Sequence, residues 1–94
     1  MDEYRVVEDI DNNRFIAIVE GEIIGEVDFH MTDDKKAIVV SHTGVRPEYE
    51  GRGIAGAMTK ALLKYVRDNG LRVIPICRYT KVYIDIHPGY KDLL

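Results

Sequence analysis

A glycine-rich stretch between an extended segment and an amphipathic one constrains the fold of this chain most. Residues 45–56 carry glycines at positions 51, 53 and 56, after a β-branched run and before a helical pattern. Glycine permits positive φ, and a helix N-terminus presents unpaired N–H groups and the positive end of a dipole. These features predict a cradle for an anion such as phosphate. A glycine-rich turn that only reverses the chain would have the same sequence, so both interpretations stay open.

The first half of the chain has the pattern of a β-meander. Apolar and polar residues alternate in four segments that are separated by short polar turns, which predicts strands over residues 4–8, 14–19, 23–31 and 37–45. Strict alternation in the third strand places Ile24 on the face opposite Val27. In the fourth strand it places Val40 and His42 on one face and Thr43 on the other.

The second half changes period. Apolar residues recur every three or four positions and predict a helix over 54–69, which ends at Asn69-Gly70. A fifth strand over 71–76 is expected to lie parallel to the fourth through a right-handed crossover. A second helix is predicted over 77–86, where Val82 and Ile86 recur at helical spacing, and a short tail follows it. The fold class is therefore α+β, a mixed sheet with an antiparallel β-meander followed by a β-α-β unit and a C-terminal helix.

Size and charge narrow the class of protein. The length predicts a single domain over residues 1–94, and the net charge of −3 argues against a nucleic-acid or membrane-surface partner. Cys77 is the only cysteine, so the fold needs no disulfide. The first residues lack the pattern of a signal peptide, and no apolar run approaches the roughly 20 residues of a membrane span. We expect a cytoplasmic protein that is a monomer or a weak homodimer.

The glycines match two known phosphate motifs poorly. The segment Gly51-Arg52-Gly53-Ile54-Ala55-Gly56 fits the G-x-G-x-x-G pattern of dinucleotide-binding folds. Such folds place that pattern after their first strand, whereas four predicted strands precede it here. A Walker loop is excluded because Gly-Lys-Ser/Thr is absent.

The same residues resemble the acetyl-CoA motif of the GNAT N-acetyltransferase superfamily. That motif reads Gln/Arg-x-x-Gly-x-Gly/Ala after a V-x-P-x-Y-like stretch, and residues 45–55 read VRPEYEGRGIA. With His42-Thr43-Gly44-Val45, Cys77 and the end HPGYKDLL, the chain is similar from residue 23 to 94 to the minimal single-domain, YjdJ-like branch. It departs from the pattern at Glu50, where the superfamily has Gln or Arg, and it lacks the helical pair of larger members between the first two strands.

The resemblance implies a site for acetyl-CoA between the fourth and fifth strands. The pantetheine arm would follow the fourth strand and the pyrophosphate would bind at the glycines, without a metal. The implied cofactor-binding residues are Thr43, Val45, Glu50, Gly51, Arg52, Gly53, Ile54, Ala55 and Gly56.

Two side chains are candidate catalytic residues. Cys77 closes the fifth strand at the start of a helix, where a thiol becomes a better nucleophile; a small buried apolar residue is the alternative interpretation. His42 is a candidate base for an amine or for the Cys77 thiol, and a local hydrogen bond is its alternative role. His30 and His87 are expected to be structural. By resemblance, a tyrosine among Tyr79, Tyr83 and Tyr90 would protonate the departing thiolate.

Two functions remain open. The first is acyl-CoA-dependent acylation of an unidentified amine, by direct transfer or through Cys77, with acidic residues such as Glu22, Glu26 and Asp28 as candidates to attract the amine. The second is a CoA-binding module that acts as a sensor or partner subunit, which Glu50 and the missing helices favour.

Overall fold

A computed structural model describes residues 3–94 and confirms the α+β architecture. Two of the residues in the predicted domain, 1 and 2, lie outside the described part. The strands and α-helices are β1 (Arg5–Asp9), β2 (Arg14–Val19), β3 (Glu22–Met31), β4 (Ala37–Val45), α1 (Ile54–Asp68), β5 (Arg72–Pro75) and α2 (Arg78–Ile86). The strands form one sheet, in which they lie side by side in chain order. Strands β1 to β4 pair antiparallel and β5 pairs parallel to β4, as predicted.

Helix α1 packs on the sheet through the apolar stripe that its sequence predicts. Ile54, Met58, Leu62 and Val66 are buried in one core with the strands, and burial of each such side chain contributes about 1.5–3 kcal/mol. A Cβ on Gly25 of β3 would lie 3.0 Å from Met58 Cε, so this glycine lets the helix approach the sheet closely. The helix ends at the predicted Asn69-Gly70 stop.

A bulge in β3 overturns the predicted placement of Ile24. The register between β2 and β3 skips Ile24, which becomes an extra residue in β3. Ile24 is therefore buried in the same core as Val27, not on the opposite face. Strict alternation fails because an extra residue reverses the facing of every residue on one side of it.

A second bulge, in β4, has more consequence for function. The register between β3 and β4 skips Ser41, with Val40 paired to Phe29 and His42 paired to Asp28. Val40 is buried in the α1 core, and Thr43 faces the same side because it pairs with the core residue Val27. The prediction that Val40 shares a face with His42 is therefore wrong. Val40 faces α1, whereas His42 points to the opposite face of the sheet.

The buried side of α2 does not carry Val82 and Ile86, the residues whose spacing predicted the helix. Val82 and Ile86 are 44% and 68% exposed, whereas Thr80 and Ile84 are buried. Ile84 joins the core that α1 makes with the sheet, so α2 packs on the same face as α1. Docking against α1 and the sheet determines which side of this short helix is buried.

The C-terminal residues are an ordered element rather than a loose tail. Residues Pro88–Leu93 form a 3₁₀ helix, and Leu93 is 5% exposed within the core. The Arg67 guanidinium of α1 donates to both carboxylate oxygens of Asp92, at 2.7 and 3.0 Å, and to the Gly89 carbonyl at 3.0 Å. These contacts fix the end of the chain on α1.

Candidate functional site

The predicted cradle lies where β4 ends and α1 begins. A short 3₁₀ helix, Pro47–Tyr49, leads to two glycines in the left-handed region, Gly51 at φ +78° and Gly53 at φ +79°. A side chain at either position would cost about 1–2 kcal/mol of conformational free energy. Because Gly53 is the N-cap of α1 and has no side chain to cap it, the first N–H groups of the helix are left for a ligand.

A cavity of about 400 Å³ opens at this cradle. It is lined by Thr43, Gly44, Val45, Tyr49, Glu50, Gly51, Gly53, Ile54, Ala55, Gly56 and Tyr79. The lining includes every predicted cofactor residue except Arg52. The structure therefore brings together residues from the end of β4, the glycine segment, the first turn of α1 and the start of α2.

Two charged side chains flank the glycines in different ways. The Arg52 guanidinium lies 5.2 Å from the centroid of the Tyr49 ring, a cation–π contact beside the cavity. Glu50 is exposed and belongs to the cavity lining. Its carboxylate opposes the binding of an anion at the cradle, whereas the helix dipole favours it.

The two parallel strands separate beside the cavity. Their pairing ends at Val40 and Pro75, where the proline has no N–H to continue the ladder. The N–H of Cys77 still donates to the Val40 carbonyl at 2.9 Å, and α2 begins at the next residue. Beyond this point the backbone of β4 has no partner in β5. The split therefore leaves backbone groups of Thr43 and its neighbours available to a ligand in the cavity.

The Cys77 thiol lies at this split. Its S–H donates to Thr43 Oγ1 at 3.5 Å, and the residue is partly buried at the N-cap of α2. Burial raises the pKa of Cys77, but the Thr43 hydroxyl, the N–H groups of Thr80 and Tyr79 and the Thr80 hydroxyl are placed to stabilise the thiolate, and the net pKa of Cys77 is lowered. A lowered thiol pKa increases the fraction of nucleophilic thiolate near neutral pH.

Family comparison agrees with this geometry. The sequence profile of the GCN5-related N-acetyl-transferase family matches residues 14–93. The chain belongs to this family. The matched segment runs from β2 to the C-terminal 3₁₀ helix and so contains the whole candidate site.

Curated relatives of this N-acetyltransferase family member include Protein NATD1 from several vertebrates. The human protein is 35% identical over 54 residues, which are 57% of this chain and 48% of the relative. The chicken protein is equally similar over 49% of its length. The chain thus spans about half the length of the curated relatives it matches.

Solved structures share the fold over most of the chain. A GCN5-like putative N-acetyltransferase from Staphylococcus aureus superposes with a TM-score of 0.71 at 27% identity, covering 97% of this chain and 85% of that one. Diaminobutyrate acetyltransferase EctA from Paenibacillus lautus was solved in complex with L-2,4-diaminobutyric acid and coenzyme A. It superposes with a TM-score of 0.62 at 21% identity, covering 88% of this chain and 52% of that one. At that identity the likeness shows the fold alone.

The structure does not bring the two predicted catalytic residues of this family member together. His42 points away from Thr43, the residue that contacts Cys77, because neighbouring residues of a strand face opposite sides. Its Nε2 lies 3.9 Å from Glu26 Oε1, and both side chains cover Gly44 on the face opposite α1. A role for His42 towards an amine on that face stays a prediction.

A second cavity of about 400 Å³ lies beside His42 and Glu26. It is lined by Ile23, Ile24, Gly25, Glu26, Gly44, Val45 and Arg46. The first cavity also uses Gly44 and Val45. One short segment of β4 therefore separates the two cavities.

The three candidate tyrosines differ in position. Tyr79 lines the first cavity, and its hydroxyl would lie 3.5 Å from a Cβ on Gly56. Burial raises the pKa of Tyr79, which keeps its hydroxyl protonated at neutral pH. Tyr83 instead stacks on the His87 ring at a centroid distance of 4.1 Å, and Tyr90 lies 6.1 Å from Tyr83.

Three residues of interest were not among the predicted site residues. Gly44 and Tyr49 line the cavity, and Thr80 is the third residue of α2 after the N-cap Cys77. The sequence offered a signal for Thr80, because the third helical residue faces an N-cap side chain. For Gly44 and Tyr49 the signal was their position inside the quoted motif.

Within residues 3–94, no group of three or more His, Cys, Asp or Glu side chains could hold a metal ion. None of the helices in that same part of the chain has both the length and the apolar character that a membrane crossing requires.

Proposed function

We propose that this chain binds an acyl-CoA, with acetyl-CoA as the expected cosubstrate, and transfers the acyl group to an amine. The observation that carries the proposal is the cavity that joins the N-terminus of α1 to the β4–β5 split. The pyrophosphate would bind the N–H groups of Gly53 and the first turn of α1. The pantetheine arm would bind unpaired backbone groups of β4 and lead the thioester towards Cys77. Membership of the N-acetyltransferase family supports this assignment.

Direct transfer needs a neutral amine and a proton donor. The amine nitrogen attacks the thioester carbon, a C–N bond forms and the C–S bond to CoA breaks. The amine loses one proton and the departing thiolate gains one. Tyr79 is the proposed donor to the thiolate, because its hydroxyl lines the cavity and its raised pKa keeps it protonated.

The Cys77 route divides the same reaction into two steps. The Cys77 thiolate attacks the thioester carbon, a C–S bond to Cys77 forms and CoA leaves as a thiol after protonation. An amine then attacks the acyl-cysteine, a C–N bond forms and the C–S bond to Cys77 breaks, so that Cys77 leaves as a thiolate and the amine loses one proton, which balances the proton taken up by CoA in the first step. The lowered pKa of Cys77 supports this route. Acylated Cys77 in the intact mass spectrum during turnover would distinguish it from direct transfer, which leaves Cys77 unmodified and survives Cys77→Ala.

The acceptor amine is proposed to approach from the face opposite α1. The second cavity combines apolar side chains with the Glu26 carboxylate, which suits a protonated amine, and His42 beside it could accept the proton that the amine loses. The expected result for Glu26→Gln is a higher KM for the amine with unchanged affinity for acetyl-CoA.

Calorimetric titration with acetyl-CoA, with NAD and ATP as controls, tests the proposed cavity. Saturable binding of acetyl-CoA alone is expected. Glu50→Gln should strengthen that binding by about threefold to tenfold at low salt, because it removes a negative charge from the cavity lining. Glu48→Gln, which removes an equal charge outside the lining, should have a smaller effect. Absence of saturable binding by both the native chain and Glu50→Gln would refute the proposal.

A CoA-binding module without efficient catalysis is the second candidate function. The observation that favours it is the Glu50 carboxylate in the lining of the cavity. Turnover separates the two functions: release of free CoA that depends on an added amine supports the transferase, whereas saturable binding without release across a panel of amines supports the module.

A further inference from the structure

Thr80 carries a buried hydroxyl that makes no hydrogen bond within residues 3–94. Its side chain is 0% exposed, and its Oγ1 has no partner among those residues. A buried hydroxyl without a hydrogen-bond partner is destabilising, and such exceptions are rare in native structures. Thr59 shows the ordinary arrangement: it is equally buried, and its hydroxyl donates to the Ala55 carbonyl at 2.9 Å.

The unsatisfied hydroxyl lies beside the only thiol of the protein. Thr80 is the third residue of α2, and Cys77 is the N-cap of the same helix. The side chain of an N-cap residue faces the N–H groups of the second and third helical residues, here Tyr79 and Thr80. Thr43 Oγ1 approaches the sulfur from β4 at 3.5 Å. The sulfur is thus surrounded by donors from two elements, and the Thr80 hydroxyl is one of them.

The donors around the sulfur form no hydrogen bond to it while Cys77 is protonated. The Cys77 side chain makes no capping hydrogen bond to the helix in the structure, and its S–H donates outward to Thr43. A neutral thiol is a weak acceptor, whereas a thiolate accepts several strong hydrogen bonds. Ionisation of Cys77 would therefore provide the acceptor that the Thr80 hydroxyl lacks.

We propose that Thr80 is a positioning residue for Cys77, whose hydroxyl donates a hydrogen bond to the sulfur when the thiol ionises. Its side chain thereby stabilises the nucleophilic form and holds the sulfur towards the β4–β5 split. The catalytic meaning of this contact rests on the proposed acyl transfer, but the stabilisation of the thiolate needs no CoA.

The elements next to Cys77 carry several titratable or charged groups. They are His42 in β4 and Glu50 beyond its end, Arg78, Tyr79, Lys81 and Tyr83 on α2, and Tyr90 in the C-terminal 3₁₀ helix. Burial raises the pKa of Tyr79 and Tyr83 above the ordinary tyrosine value of about 10, so both are neutral at the pH where a thiol with a lowered pKa ionises. On α1, both tyrosines lie next to Gly56, which has no charge.

The rate of Cys77 alkylation by iodoacetamide between about pH 5 and 10 measures the contact directly. Because the chain has one cysteine, intact mass reports a single site. Thr80→Val should raise the midpoint of the rate profile by about one pH unit and lower the rate at pH 7 by roughly threefold to tenfold. Thr80→Ser should restore the native midpoint. Thr59→Val, which removes an equally buried hydroxyl elsewhere, should leave it unchanged.

Three outcomes of these measurements lead to different conclusions. A native midpoint in Thr80→Val, or in Thr80→Ala if the valine variant does not fold, would overturn the proposal. A midpoint that also shifts in Thr59→Val would overturn it, because the effect would then come from lost packing. A shifted midpoint in Thr80→Val, combined with absence of acetyl-CoA binding by both the native chain and Glu50→Gln, would refute the proposed function and leave the Thr80–Cys77 contact established.

Discussion

Replacement of Gly53 by alanine separates the two interpretations of the glycine-rich segment, a turn and a ligand cradle. Gly53 has φ +79° and ψ +12°, and a Cβ there would meet no heavy atom within 4 Å. The cost of the substitution is therefore conformational alone, and we expect the free energy of unfolding to fall by about 1–2 kcal/mol. For a chain of this length, each kcal/mol lowers the melting temperature by roughly 4–8 °C.

Gly56 provides the matched control. Its φ is not positive, and a Cβ there would lie 3.5 Å from the Tyr79 hydroxyl and 3.7 Å from Tyr83 Cε2, which are ordinary contacts. Because glycine is unfavourable within a helix, Gly56→Ala should raise the free energy of unfolding by about 0.5–1 kcal/mol. The two alanine variants should thus differ in sign.

Urea denaturation with and without acetyl-CoA measures both roles. A ligand at a hundred times its Kd stabilises the native chain by about 2.7 kcal/mol. Acetyl-CoA should stabilise Gly53→Ala clearly less than the native chain, because a backbone that leaves the left-handed region moves the first N–H groups of α1. If Gly53→Ala is as stable as the native chain without ligand, the backbone assignment is wrong. If it loses stability but keeps the full gain from acetyl-CoA, the segment is a turn and not the cradle.

Two further predictions concern the C-terminal 3₁₀ helix. Leu93→Ala should lower the free energy of unfolding by about 2–4 kcal/mol in urea, because Leu93 is 5% exposed, whereas Leu94→Ala at 50% exposure should change it by no more than about 0.5 kcal/mol; equal effects would contradict the docked arrangement. The hydrogen bonds from Arg67 lower the pKa of Asp92, so their stabilisation is present above the ordinary carboxyl pKa of about 4 and is lost as pH falls through the lowered value. The stability difference between the native chain and Arg67→Ala should therefore be constant near neutral pH and narrow in acid to the part that the bond to the Gly89 carbonyl contributes, and a difference that does not change with pH would refute this coupling.

Local sequence patterns predicted the elements of the fold and most of the cavity lining. Alternation identified the strands, three- and four-residue spacing identified α1, and the glycines identified the cradle. These features depend on the conformations available to a few neighbouring residues, which a sequence states directly. Family resemblance added the expectation that Cys77 closes a ligand site, and the role of Cys77 remains a proposal.

The facing of side chains could not be predicted where strands pair irregularly. The bulges at Ile24 and Ser41 arise from the pairing of β3 with its two neighbours, and nothing in the local pattern marks either residue. The bulge at Ser41 separates His42 from Cys77, which the sequence had grouped as one catalytic pair. The buried side of α2 likewise depends on its docking against α1, so the spacing of Val82 and Ile86 predicted a helix but not that Thr80 and Ile84 are its buried residues.

The sequence by itself thus determined which segments are strands and helices and where an anion would meet a helix N-terminus. Only the tertiary structure decided which chemical groups meet at that position. Thr43 and Cys77 are 34 positions apart in the chain, but the Cys77 sulfur lies 3.5 Å from Thr43 Oγ1 because the parallel pairing ends at Pro75. The tertiary structure also buries the Thr80 hydroxyl beside the same sulfur. Such contacts follow from the packing of whole elements, and a local pattern does not contain that information.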